Sequence, residues 1–233
     1  VPGGQVVITF DDGYRDNRQY AAELLRHYRL PAAFFLTAGW IGTQHRFWWD
    51  EVEARIRHSA PSTAGALPPG ALARSVWDAC SKLRALPAPA RRRQMARLGP
   101  EPPAAASADL PMSWDEAREL ARMGFSVGAH TVTHPALSGL EEAEARREIQ
   151  GSRELLEEAL GLPVRHFCYP YDEAIRWGRK VPAGCRRLVE EAGYETAVTV
   201  VKNGVTSRAN RLAIPRLAVQ DWDVDQLRRA LAG

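Results

Sequence analysis

The hydrophobic pattern opens on a short run rich in β-branched residues, Gln5 to Phe10 (QVVITF), preceded by Gly3-Gly4. Such a run predicts a buried strand. Asp11-Asp12-Gly13 breaks it. Asp16 to Tyr28 then reads as a helix, with Ala21, Ala22, Leu24, Leu25 and Tyr28 on its apolar face. After Pro31, Ala33 to Thr37 (AFFLT) is a second buried strand. Strand, helix and strand in this rhythm predict a parallel βαβ unit.

The rhythm fails across 43–111. Phe47-Trp48-Trp49 opens a helical pattern through Arg57, and Leu72 to Leu86 is helical again. Pro61 to Gly70 and Pro100 to Pro111 are Pro/Ala-rich and read as loops. The stretch is expected to be a mainly helical insertion within one domain spanning 1–233. Beyond it the alternation returns. Ser113 with Glu116 forms a capping-box pattern that starts a helix to Met123. Phe125 to Ala129 is a strand ending at His130. Ser138 and Glu141 form a second capping-box pattern, for a helix running to Leu160 and stopped by Gly161. Arg165–Tyr169, Glu195–Val201 and Leu212–Val219 read as strands, Ala183–Ala192 and Val224–Leu231 as helices, with Asp223 as an N-cap.

Composition adds limits. The 233 residues suffice for one well-buried core. A net charge of +3, with 31 Lys+Arg against 28 acids, gives no reason to expect nucleic acid as a partner. Three cysteines without a CxxC pair do not suggest a disulfide framework. No apolar stretch reaches the roughly 18 residues of a transmembrane helix, and no signal peptide is read. The chain begins Val1-Pro2 without a methionine, so an upstream segment is allowed for and the compartment is left open. Oligomeric state is not legible.

The candidate chemistry lies at strand ends. Asp11 and Asp12 follow the first strand, His130 follows FSVGA, and Tyr169, Pro170 and Tyr171 follow RHFC. In a parallel barrel those ends converge on one mouth. His130 and His134 with Asp11 or Asp12 make a two-His-one-carboxylate set for a divalent ion. The neighbouring aspartate is then free to act as a general base on water. Trp48 and Trp49 are candidates for stacking on a sugar ring, or else form the insertion's own small core.

These residues resemble a known family. Thr9-Phe10-Asp11-Asp12-Gly13 looks like the first motif of the polysaccharide deacetylases, the NodB-homology domain of carbohydrate esterase family four. His130-Thr131-Val132-Thr133-His134-Pro135 looks like their second motif, and RHFCYPYD (165–172) like a variant third. The resemblance covers 5–42 and 112–231. It implies a distorted (β/α) barrel carrying the insertion. It implies a hydrolase that removes N-acetyl groups from N-acetylhexosamine units. It also implies Asp11 as general base and Asp12, His130 and His134 as metal ligands. Zinc is the default metal, with cobalt, nickel or manganese as other divalent ions. Thr131 would brace the histidine loop, and Tyr171 would stabilise the oxyanion through its backbone N–H. Apart from the resemblance, Tyr169, Pro170 and Trp48 are the candidates to line a carbohydrate site.

Three positions depart from the family pattern. The arginine that orients the base is replaced by Cys168, and Arg216 is the candidate to reach the same aspartate from another strand end. No histidine follows His166, so the usual late general acid is missing. Asp172 stands where glycine is common. Such departures resemble the exopolysaccharide-associated branch. They also keep two other readings open: a non-catalytic carbohydrate binder on a deacetylase scaffold, and a deacylase of a smaller amide.

Overall fold

The structure is a computed structural model that describes residues 6–59, 71–84, 86, 88–171, 181–201, 205–206, 209–219 and 222–232. Five strands lie in sequence order: β1 (Ile8–Phe10), β2 (Ala32–Leu36), β3 (Ser126–Ala129), β4 (His166–Cys168) and β5 (Thr196–Val198). Every pairing is parallel. The sheet curls into a half-barrel with helices outside, the distorted (β/α) barrel expected. Parallel strands covered on both faces must be apolar. Accordingly Phe34, Leu36, Ala129, Phe167, Cys168 and Ala197 are fully buried. Burying an aromatic or aliphatic side chain of this kind contributes roughly 1.5–3 kcal/mol. Gly128 is required in β3, because a Cβ there would collide with the Phe35 ring and the His166 carbonyl.

The connections follow the pattern with local revisions. A π-helical turn, Asn17–Ala21, leads into α1 (Ala22–His27), so the first helix is less regular than its apolar face suggests. In α5 (Trp114–Arg122) the capping box is formed: Ser113 Oγ accepts from Glu116 N–H, and Glu116 accepts from Ser113 N–H. Helix α6 (Glu142–Leu160) ends at Gly161 in the left-handed conformation, φ 68°. Its start differs from expectation. Ser138 lies in a 3-10 turn (Leu137–Gly139), and Glu141 is the N-cap without a side-chain cap bond. Helices α7 (Ala183–Glu191) and α8 (Val224–Ala232) complete the set. Asp223 and Gln226 cap α8 reciprocally.

Leu212–Val219 is not a strand. It runs extended beside β5, with one parallel bridge, Val198 to Ile214. Pro215 has no N–H to continue the ladder. Between β2 and β3 stand α2 (Trp48–Ser59), α3 (Ala71–Leu83) and α4 (Ala88–Met95). They enclose a core of their own: Trp48, Val52, Leu83 and Met95. The expected loop at Pro61–Gly70 falls outside the described residues; that at Pro100–Pro111 includes a 3-10 turn, Ser107–Asp109.

Candidate active site

Three loops at the carboxyl ends of β1, β3 and β4 meet in one place, and each carries non-glycine residues in left-handed backbone. These are Asp12 (φ 71°), Thr131 (φ 65°), His134 (φ 56°) and Tyr171 (φ 53°). Such conformations cost about 1 kcal/mol or more each and cluster at functional sites. Hydrogen bonds impose them. Thr131 Oγ1 accepts from His134 N–H at 3.0 Å. Thr37 N–H bonds the Asp12 carbonyl, and Ala38 N–H bonds that of Thr131. Glu148 on α6 accepts from Val132 N–H, Thr133 N–H and the Thr133 hydroxyl, at 2.9, 2.8 and 2.7 Å.

Asp12, His130 and His134 offer one donor atom each. His130 Nε2 and His134 Nε2 lie 3.4 and 3.2 Å from Asp12 Oδ1, and 3.1 Å from each other. His130 Nδ1 is 2.8 Å from the Cys168 carbonyl. A carbonyl only accepts, so Nδ1 carries a proton and Nε2 is the nitrogen turned to Asp12. Burial opposes the charged ring, but Cys168 and Asp12 outweigh it and raise the His130 pKa well above its usual value, so without an ion Nε2 carries a proton toward the carboxylate. Burial dominates at His134 and lowers its pKa, which favours the neutral ring. At Asp12 burial opposes ionisation, but hydrogen bonds from both histidines outweigh it and keep the carboxylate charged. An ion that displaces the protons held between them would meet three electron-pair donors. Their separations match donors about 2.1 Å from a shared divalent ion. The donor set fits a metal.

Asp11 faces elsewhere. Arg216 grips it with two charge-assisted bonds, Nη1 to Oδ1 at 2.8 Å and Nη2 to Oδ2 at 2.7 Å. The same guanidinium reaches Thr9 Oγ1 at 2.8 Å, Cys168 Sγ at 3.0 Å and the Thr199 carbonyl at 2.9 Å. Burial would raise the Asp11 pKa, and Arg216 reverses that, so the net shift is downward. Asp11, His130 and Cys168 also lie close enough to suggest a second metal cluster. The Arg216 cation already fills that corner.

The carbohydrate-site assignments change. Trp48 is 3% exposed and belongs to the insertion core, with the Arg91 guanidinium 4.6 Å from its ring centroid. A tryptophan so enclosed has little face for a sugar. Trp49 is the one at the site, its ring 4.6 Å from that of His134. Tyr169 is buried, and its hydroxyl donates to the Leu212 carbonyl at 3.0 Å; Pro170 is also buried. Tyr171 packs its ring 4.5 Å from His134, and its backbone N–H makes no backbone hydrogen bond among the described residues. Asp172 lies outside the described residues.

Sequence reasoning missed Glu148, Arg91, Tyr14 and Asp50. Arg91 Nη2 donates to the Thr133 carbonyl at 3.4 Å. Trp49 Nε1 donates to Tyr14 Oη, which donates to Asp50 Oδ2, both at 2.6 Å. The signal for Asp50 was its place directly after the tryptophan pair.

The comparisons with known proteins agree with this architecture. A model of the polysaccharide deacetylases matches residues 1–197. YxkH of Bacillus subtilis (strain 168), assigned to the polysaccharide deacetylases, is 20% identical over 214 residues, 92% of this chain and 51% of its own length. The chain thus spans about half of that curated relative. The Streptococcus pyogenes deacetylase PplD, solved with acetate, is 16% identical with a TM-score of 0.60, over 99% of this chain and 72% of that one. IcaB from Ammonifex degensii is 18% identical with a TM-score of 0.60, over 99% and 73%. These two share the fold. The family match includes the aspartate pair and both later motifs and reaches into β5, and the chain belongs to the polysaccharide deacetylase family.

Proposed function

We propose that this protein is a metal-dependent hydrolase that removes N-acetyl groups from N-acetylhexosamine units of a polysaccharide or glycan precursor. The observation that carries the reading is the pairing of two neighbouring aspartates with opposite partners. Asp12 faces two imidazole nitrogens, whereas Asp11 is held by a guanidinium. A carbohydrate binder has no need for that division. Asp12, His130 and His134 would hold a divalent ion, zinc by family resemblance, supplying Lewis acidity to the amide carbonyl and to water. Asp11, kept ionised and oriented by Arg216, takes the proton of the attacking water. The backbone N–H of Tyr171, which has no backbone partner among the described residues, would donate to the oxyanion of the tetrahedral adduct. Trp49 offers an apolar wall beside His134.

Acetate release from N-acetylglucosamine oligomers and small acetamides, measured beside metal content, tests the reading. Release is expected in the wild type. It should fall by about 10³-fold or more in Asp11→Asn with the metal retained. Full activity in Asp11→Asn would remove Asp11 as base. Metal uptake without turnover on any amide would favour a binding protein instead.

A further inference from the structure

Amide hydrolysis needs a proton for the departing amine, and the site so far has no group to give it. No histidine follows His166, and His166 Nδ1 lies 2.8 Å from Thr196 Oγ1. One flank of the centre is taken by the base, with Arg216 and Cys168 around it. The other flank is built by the insertion. There Trp49 lies against His134 and donates its indole N–H to Tyr14 Oη. Because Tyr14 accepts that proton, its own hydroxyl proton points to Asp50 Oδ2, 2.6 Å away. Tyr14 is two residues from Asp12, so this chain of bonds runs from α2 to the metal loop. Asp50 is partly exposed. Its second oxygen, Oδ1, makes no hydrogen bond among the described residues.

We propose that Asp50 is the general acid of the hydrolysis, standing across the scissile bond from Asp11. This rests on the deacetylase reading above. The water oxygen bonds to the acetyl carbonyl carbon and loses a proton to Asp11. The C–N bond then breaks, its electron pair leaves with nitrogen, and nitrogen takes the proton from Asp50 Oδ1. Acetic acid and amine depart, the acid giving its remaining proton to the amine or to solvent, and the proton on Asp11 returns to Asp50 through solvent, so one water is consumed for each bond cut.

The electrostatics suit that role. Burial is the largest influence on Asp50 and raises its pKa to about 6. Glu53 and Asp109 push the same way, as does Asp12 while no ion offsets its charge, and the bond from Tyr14 pulls it down. A structural explanation competes: Asp50 would merely tie α2 to the barrel through Tyr14. Asparagine separates the two, since its amide oxygen keeps the Tyr14 bond and only the transferable proton is lost.

The experiment compares an amide, an N-acetylglucosamine oligomer, with an aryl ester, 4-nitrophenyl acetate, whose phenolate leaves without a proton. In Asp50→Asn the ratio of amide to ester kcat/KM should fall about 100-fold, with metal content and Tm unchanged. Asp50→Glu should restore part of the ratio and move the alkaline limb of the amide profile. In the metal-free protein, an infrared carboxylic-acid band titrating near pH 6 should vanish in Asp50→Asn. An unchanged ratio would overturn the proposal, as would equal loss of both activities. A wild type that cleaves no amide would overturn the deacetylase reading itself, and would do so before any variant is made.

Discussion

Asp11 is held by a side chain 205 positions away. In the proposed mechanism Arg216 takes the place that the family pattern gives to the residue at 168, and the thiol there sits 3.0 Å from the guanidinium. Arg216→Ala would leave the carboxylate in a half-closed site without its cation. Removing one partner of a buried ion pair costs about 3–5 kcal/mol, and residual solvent at this pair reduces that to about 2 kcal/mol. The Asp11 pKa would rise, so the acid limb of the rate profile should move to higher pH. Arg216→Lys, which lacks the planar fork, should fall between wild type and Arg216→Ala. Cys168→Arg puts two cations in one corner and should lower both rate and Tm. Combined with Arg216→Ala it should be less defective than the sum of the two, a coupling that a double-mutant cycle measures. At this scale the sequence was legible wherever a residue ends an apolar run. Asp11, Asp12 and His130 were visible for that reason, and His134 by its spacing from His130. Arg216 was legible only as a candidate, because nothing local reveals a partner so distant. Trp48 and Trp49 divide the two readings given to them, core and site, because adjacent helical residues differ by about 100° in direction and the pattern did not say which face was core.

At the scale of elements, the second motif is supported from outside its own loop. Glu148 on α6 accepts three hydrogen bonds from Val132 and Thr133. Arg91 on α4 donates to the Thr133 carbonyl. Glu148→Gln keeps one acceptor oxygen and removes the charge, so the loop loses at least one charge-assisted bond. Metal affinity should drop about 10- to 100-fold, readable by titration with a competing chelator, while far-ultraviolet circular dichroism stays unchanged. Helices with strong periodicity and a glycine stop, such as α6, were readable to within a residue. Its start was not, because Leu137–Gly139 tightens into a 3-10 turn before the helix begins. The 212–219 segment misled for another reason. It is as apolar as a strand, but Pro215 interrupts the donors on which pairing depends.

At the scale of the molecule, we read the chain as one unit in which the insertion is a wall of the site. Helix α2 reaches the first loop through Tyr14 and the second through Trp49 and His134. Tyr171 packs on the insertion core. Metal binding and stability should therefore be linked. A free ion at 100 times its Kd stabilises by about 2.7 kcal/mol, which at this size raises Tm by about 5–10 °C. Chelation should reverse the shift; a Tm indifferent to metal would mean that no ion binds the folded state. Among the described residues no helix is long and apolar enough to cross a membrane. The reach of Arg216 has a consequence in time. A ribosome adds about 5–20 residues per second, so about 10–40 seconds separate the making of Asp11 from that of its arginine. The two histidines appear well before the end of that interval. A nascent chain thus has Asp12, His130 and His134 in place before Arg216 exists, and Asp11 stays unanchored until Arg216 is made.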